Sequence, residues 1–478
     1  MRLWMFIPAV FCACAMGAPP PDQRVEPAPG GPVVEDPRSL VCDRVLEMQT
    51  ARRSGVTSVW LASGVRVHHR RMDRQPGRVV VTIALCGGKL LEDSATRGLT
   101  EVAAGVLDDW ESVAPEASAP ARTEGRDLRI DAAAGQDAMT IRMSVSAADL
   151  EAGMGIVRAM LVSPTVGTPA VEAAKEMVVR EVRRRAGDPR AVVSEAVNHA
   201  VVPEGDARLE PPNERRIRGI TAEEVRAWID RHTKEGGEPI EAAIVGDVSL
   251  AAALKLADGT LGTLPVRARP GPGTHSALRR VAVPAGPVSR EARVDEVMLG
   301  AGRVIVVRGF FGPDVSSLGD QRALRAMLGV ATNRLKERLV GPRFDVGAEG
   351  PASGLFMSAY DGLGMGLVTA ATRQPGEAAV GAAIEEELGR LASDGPTAEE
   401  LARAAGALAR SADAAERDIR YWSAALARCT SLGLDPDEIA RAGEFYRTLT
   451  PAAARAVLAK YHTRERTIGI TVRAKAGE

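Results

Sequence analysis

Two glutamates stand where they could do chemistry. Glu101 lies in the first turn of an amphipathic helix that opens at Gly98-Leu99, just after the apolar run 79–86, and Glu181 lies on a later, arginine-rich helix. Two carboxylates facing each other across helices can hold Ca²⁺ or Mg²⁺ weakly, with water completing the shell. A plainer role fits each. The helix macrodipole favours an acid at Glu101, and Glu176 with Arg180 and Glu181 with Arg185 have the spacing of ordinary helical ion pairs. His68 and His69 are adjacent, so on a strand they point to opposite faces and cannot share a metal; each is expected at the surface or rim. Ser63 and Ser94 are loop serines with no histidine signal nearby. The sequence has no G-x-S-x-G, phosphate loop or paired-cysteine zinc pattern.

Residues 88–99 run G-K-L-L-E-D-S-A-T-R-G-L into that helix. This resembles the approach to the active-site helix of the insulinase/pitrilysin (mitochondrial processing peptidase-like) zinc metallopeptidases, roughly G-S-R-D-E-x-x-x-x-T-G-L-A-H-x-x-E-H. Gly88, Glu92, Gly98 and Leu99 fall on it without a gap. In the family motif, two imidazoles on successive turns bind zinc and the glutamate between them takes a proton from the zinc-bound water. Here the first histidine position is Glu101, the base position Ala104 and the second histidine position Gly105. Alanine accepts no proton, and glycine brings no ligand atom.

The resemblance places the family's third ligand at Glu181 and its companion acid, one heptad earlier, at Ala174. Active members also draw an Arg and a Tyr from their C-terminal domain, in a stretch like L-R-E-K-R-G-L-A-Y. The counterpart here is 335–344, where Phe344 takes the Tyr position without the hydroxyl that would bind an oxyanion, and Lys336 and Arg338 compete for the Arg. What this implies is no catalytic residue and no metal or other cofactor, with zinc entering only if the inactive reading is wrong. Restoring the site would take Glu101→His, Ala104→Glu and Gly105→His together.

The elements that must position these residues follow from pattern. The run 79–86 is apolar throughout, as in a strand covered on both faces. Runs 56–61 and 65–69 flank Ser63-Gly64 like a hairpin, and 128–132 and 139–145 alternate like another. Thr168-Pro169 starts a helix with a cap residue and a first-turn proline. Thr221-Ala222-Glu223-Glu224 is a capping box leading to a helix and then a strand at 240–245. The second half repeats this grammar. An apolar strand spans 304–311 and a helix 320–335, Pro396-Thr397 opens a helix as Thr168-Pro169 does, and Thr450-Pro451 leads to a last strand at 467–472. So long a period indicates a duplicated domain.

The expected fold class is α+β, two tandem homologous domains, each an antiparallel-rich sheet with helices packed on one face. The boundaries are a signal peptide at 1–18, a disordered Pro-rich tether at 19–50, domains at 51–264 and 291–478, and a linker at 265–290. Met1-Arg2, a short apolar core and small residues near Ala15 indicate export to the periplasm or cell envelope. Acylation of Cys14 would make the chain a lipoprotein, and only that would bring it to a membrane. Without the signal three cysteines remain, Cys42, Cys86 and Cys429, an odd count that makes no disulfide framework and leaves any single pairing open. The formal net charge of −1 leaves no nucleic-acid footprint. The resemblance implies an inactive protein that partners an active H-x-x-E-H member as a heterodimer, or forms a homodimer, and that can contact peptide. The alternatives are an active zinc metalloendopeptidase with a displaced site and a stand-alone envelope binding protein.

Overall fold

The computed structural model describes residues 42–123, 126–201, 212–300, 302–347, 350–356 and 358–475. The signal peptide and the tether up to residue 41 lie outside the described residues. The end of that tether is not disordered as expected, because β1 (Val45–Thr50) pairs antiparallel with β2 (Thr57–Leu61). Val45 and Met48 are half-buried while Leu46, Glu47, Gln49 and Thr50 are exposed, a three-residue spacing that goes with the shift of register between Val45 and Glu47.

The other strands are β3 (Arg66–Arg71), β4 (Arg78–Cys86), β5 (Leu128–Ala134), β6 (Ala138–Ser146), β7 (Ile240–Gly246), β8 (Val288–Val294), β9 (Arg303–Gly312), β10 (Ala352–Phe356), β11 (Gly364–Arg373) and β12 (Thr467–Ala474). They form one sheet in the order β1-β2-β3-β7-β4-β6-β5 and a second in the order β10-β11-β9-β12-β8. The paths β3-β7-β4-β6-β5 and β8-β12-β9-β11-β10 are equivalent. Each begins with a parallel pair, β3 with β7 and β8 with β12, and every later pair is antiparallel. The end of the expected linker, from Val288, is strand rather than connection.

The helices that matter for the site and the core are α1 (Leu99–Asp108), α2 (Leu150–Val162), α3 (Thr168–Ala186), α4 (Pro189–Val201), α5 (Ala222–Thr233), α6 (Leu318–Arg338), α7 (Glu377–Ser393), α8 (Ala398–Glu416), α9 (Ile419–Leu426) and α10 (Pro451–Tyr461). Capping boxes start α5 at Thr221/Glu224 and α8 at Thr397/Glu400. Thr168 is not a cap, contrary to the expectation from sequence. Gly167 holds the extended cap conformation and Thr168 is already helical, with Pro169 in the first turn.

Alternation along β4 explains its continuous apolar run. Val79, Val81, Ile83 and Leu85 face the core under α1, α2, α3 and α5, whereas Val80 and Ala84 face the other way. That second face is covered by the other half of the chain, through Ile419, Trp422 and Leu426 of α9. The relation is reciprocal. Ile305 and Val307 on the outer face of β9 pack with Val197, Ala200 and Val201 of α4. Each half thus lends a helix to the sheet of the other, and each fully buried large side chain in the seam is worth roughly 1.5–3 kcal/mol.

Histidines 68 and 69 depart from expectation. Both are buried, because β3 is an interior strand covered on both faces. The His69 ring meets the Val248 carbonyl at 3.1 Å. His68 Nε2 lies 2.8 Å from Glu241 Oε1, and His68 Nδ1 lies 2.7 Å from Ser58 Oγ.

Candidate functional site

The helix that carries the motif positions starts at Gly98, whose φ is 90° and where an added Cβ would stand 2.4 Å from Ile217 Cδ1. Left-handed backbone and close approach together make glycine the fitting residue there. No side chain of the cap residue closes the helix start. The buried Glu92 carboxylate does so instead, accepting the Thr100 N–H at 2.8 Å and a bond from Arg97 Nη1 at 3.1 Å. Burial and the charge of Glu101 push Glu92 above the ordinary carboxylate range, against the bonds from Thr100 and the pull of Arg97.

Glu101 is in the first turn as expected, and it forms an ion pair with Lys89. One of its oxygens, Oε2, is enclosed with no hydrogen-bond partner among the described residues. Ala104 is buried against the sheet. Gly105 faces α3: a Cβ placed on it would stand 3.0 Å from the Cβ of Ala174 and 3.9 Å from Met177 Cε. The positions that the resemblance assigns to the second histidine and the companion acid therefore oppose each other, and two small residues let the helices close on that spot.

Glu181 is elsewhere engaged. It accepts two bonds from Arg184, both 2.7 Å, and one from Arg185 at 2.9 Å. Those partners, Arg184 foremost, draw its carboxyl down to about 2 against some desolvation. Glu176 pairs with Arg218 at 2.7 Å, not with Arg180 as its spacing suggested, because the short helix Glu214–Gly219 lies beside α3. Among the described residues no group of three or more His, Cys, Asp or Glu is placed to hold a metal ion. The donor set does not fit the zinc that the fold family uses. Position 105 has neither ligand atom nor room. Glu101 is paired with Lys89, and Glu181 with two arginines.

On the C-terminal side, Phe344 is half-buried in the loop after α6, packed against the second core with Arg343 5.6 Å from its ring centroid. Arg338 pairs with Glu386 and, at 3.7 Å, with Glu387, while Lys336 is exposed. The three cysteines are free thiols, Cys86 and Cys429 buried and Cys42 half-buried.

Sequence reasoning missed a polar cluster at the seam between the halves. Glu241 on β7 is fully buried and takes the N–H groups of Thr430 and Ser431 from the other half, besides its bond to His68. Burial alone would raise its pKa; the His68 ring and the two N–H groups outweigh burial and hold the carboxyl below the ordinary range. The signal was available, since a charge inside an otherwise apolar strand must find partners.

Residues 219–408 match the family model of the peptidase M16 inactive domain. No curated protein sequence matches the chain. Among solved structures, the peptidase M16 inactive domain from Pseudomonas fluorescens is similar with a TM-score of 0.71 at 16% identity, over 88% of this chain and 99% of that one. The periplasmic protease PqqL from Escherichia coli has a TM-score of 0.71 at 14% identity over 95% of this chain, and the ferredoxin protease FusC, in complex with Arabidopsis ferredoxin, one of 0.70 at 16% over 97%. The chain spans 49% of the length of each of these two proteases. At such identities the structural likeness establishes the fold. Residues 219–408 thus match the M16 inactive-domain family, and the chain as a whole has the α+β fold of M16 peptidase-like structures.

Proposed function

We propose that this chain is a catalytically inactive M16-like protein that acts as the non-catalytic partner of an active H-x-x-E-H family member in the cell envelope. The observation that carries the reading is the closed contact at Gly105 and Ala174, in the place where the resemblance would put zinc ligands. A peptidase of this type needs three ligands, one open coordination position and a base. Ala104 and Gly105 supply none of these. Two further facts support partnership. The chain matches about half of PqqL and of FusC, so a second chain of this size would complete a particle of their length. The periplasmic location named for PqqL agrees with the export signal read at residues 1–18. In such a pair this chain would supply chamber wall and exposed strand edge for a peptide to lie along.

The test has two parts. Purified protein, dialysed and then analysed for metal, should retain no stoichiometric zinc and should cleave unfolded peptides no faster than a blank. Co-expressed with an intact H-x-x-E-H member from the same genome, it should co-purify as a one-to-one complex. Chelator-sensitive proteolysis by this chain alone would overturn the inactive reading, and failure to associate would overturn the partnership.

A further inference from the structure

Other buried arginines of this molecule have partners. Arg97 reaches Glu92, Arg267 donates to the carbonyls of His232, Thr233 and Pro265, and Arg322 donates to that of Glu438. Arg279, the last residue of the short helix Ser276–Arg279, is different. It is only 8% exposed, and its guanidinium makes no hydrogen bond or ion pair with any described residue; its Nε is fully enclosed. A buried guanidinium that no acceptor contacts is costly, and a ligand acceptor placed against it would relieve that cost.

Arg279 lines a cavity of about 170 Å³, together with Ser276, Asp314, Ser316 and Asp361. The walls come from separate parts of the chain and are tied together, since the Asp361 N–H donates to the Arg279 carbonyl at 2.9 Å. The Asp314 carboxylate takes the Ser316 N–H at 3.0 Å and its hydroxyl at 2.6 Å. Asp361 is exposed and its carboxylate has no ion-pair partner among the described residues; Pro272, Ser276 and Ser316 are exposed too, so the cavity opens to the surface. One small cavity therefore carries a cation and two carboxylates that do not pair with one another.

That arrangement selects the chemistry of an occupant. A simple anion would satisfy Arg279 but meet two aspartates, and a simple cation would meet the reverse. A ligand bearing both charges satisfies both. Size sets the other limit: a cavity of about 150 Å³ holds a benzene-sized molecule, about six heavy atoms. We propose that this cavity binds a small zwitterion of the free α-amino-acid type. Its carboxylate would lie against Arg279 and its ammonium toward Asp314 and Asp361, with the exposed Ser276 and Ser316 at the rim.

The test is calorimetric titration of the full chain with glycine, L-alanine, acetate and methylammonium. Glycine and L-alanine should bind saturably, with acetate and methylammonium each at least tenfold weaker. Arg279→Gln and Asp361→Asn should each weaken glycine binding at least tenfold. Asp361 is exposed, so its variant should keep the wild-type melting temperature and remain decisive if Arg279→Gln fails to fold. Absence of saturable binding by either amino acid, acetate binding as tight as glycine, or undiminished binding by Asp361→Asn would each overturn the proposal.

Discussion

Gly105 on α1 and Ala174 on α3 meet so closely that a Cβ on the glycine would stand 3.0 Å from the alanine's own. Ala174 is rigid, so any larger residue at 105 must part the two helices. Two consequences follow for substitutions. Gly105→Ala gains up to about 1 kcal/mol of helix propensity and loses a similar amount to crowding, so its stability should lie within about 1 kcal/mol of wild type. Gly105→His should lose about 1–3 kcal/mol by overpacking. The triple variant Glu101→His, Ala104→Glu, Gly105→His should share that loss and hold zinc weakly, because the new ligands arrive in a space the helices have closed. Urea unfolding and zinc retention after dialysis check this.

Glu181 should behave as a surface ion pair. Its side chain is 42% exposed and its partners are Arg184 and Arg185. Glu181→Ala should cost no more than about 1 kcal/mol, the scale of exposed pairs, and leave metal content unchanged. A melting temperature that fell steeply, or a loss of bound zinc, would restore it to the role of ligand.

Glu241 should matter far more. Glu241→Ala leaves the His68 ring and the N–H groups of Thr430 and Ser431 without their acceptor. Removing one partner of a buried pair typically costs about 3–5 kcal/mol. The pH dependence has a definite sign. Because the folded carboxyl is held below its ordinary range, it contributes stability above the unfolded value of about 4.3. That contribution is lost as pH falls through the lower, folded value. Denaturation midpoints measured from pH 7 to pH 3 should fall less steeply in Glu241→Gln, which starts from a lower value at neutral pH.

Neither half should fold well alone. Residues 42–264 without α9 would expose the outer face of β4 and β7, and residues 288–475 without α4 would expose that of β9 and β12. Each fragment should bind a hydrophobic dye and aggregate, and co-expression should recover a soluble complex. In the intact chain, Trp422→Ala should destabilise by about 3–5 kcal/mol, since Trp422 is fully buried, donates to the Glu416 carbonyl at 2.9 Å and lies under Arg70 at 3.7 Å. Fluorescence and circular dichroism should report one transition for both halves.

The amino-acid sequence by itself determined much of this protein. Alternation and apolar runs placed β4, β6, β7 and β9, and Thr221 with Glu224 announced the start of α5, because strand period and helix capping depend on residues a few positions apart. It also settled that Ala104 can accept no proton and that Gly105 brings no ligand, which are facts of side-chain chemistry. The tertiary structure alone decided the rest. Whether Glu176 pairs with Arg180 or Arg218 depends on which helix lies beside α3. His68 reads as a rim residue until β7 brings Glu241 beside it and the other half supplies Thr430 and Ser431. The exchange of α4 and α9 between the sheets, the contact of Gly105 with Ala174 and the isolation of Arg279 are of the same kind. Burial and pairing are set by what packs against a residue from far along the chain, and local sequence carries no record of that neighbour.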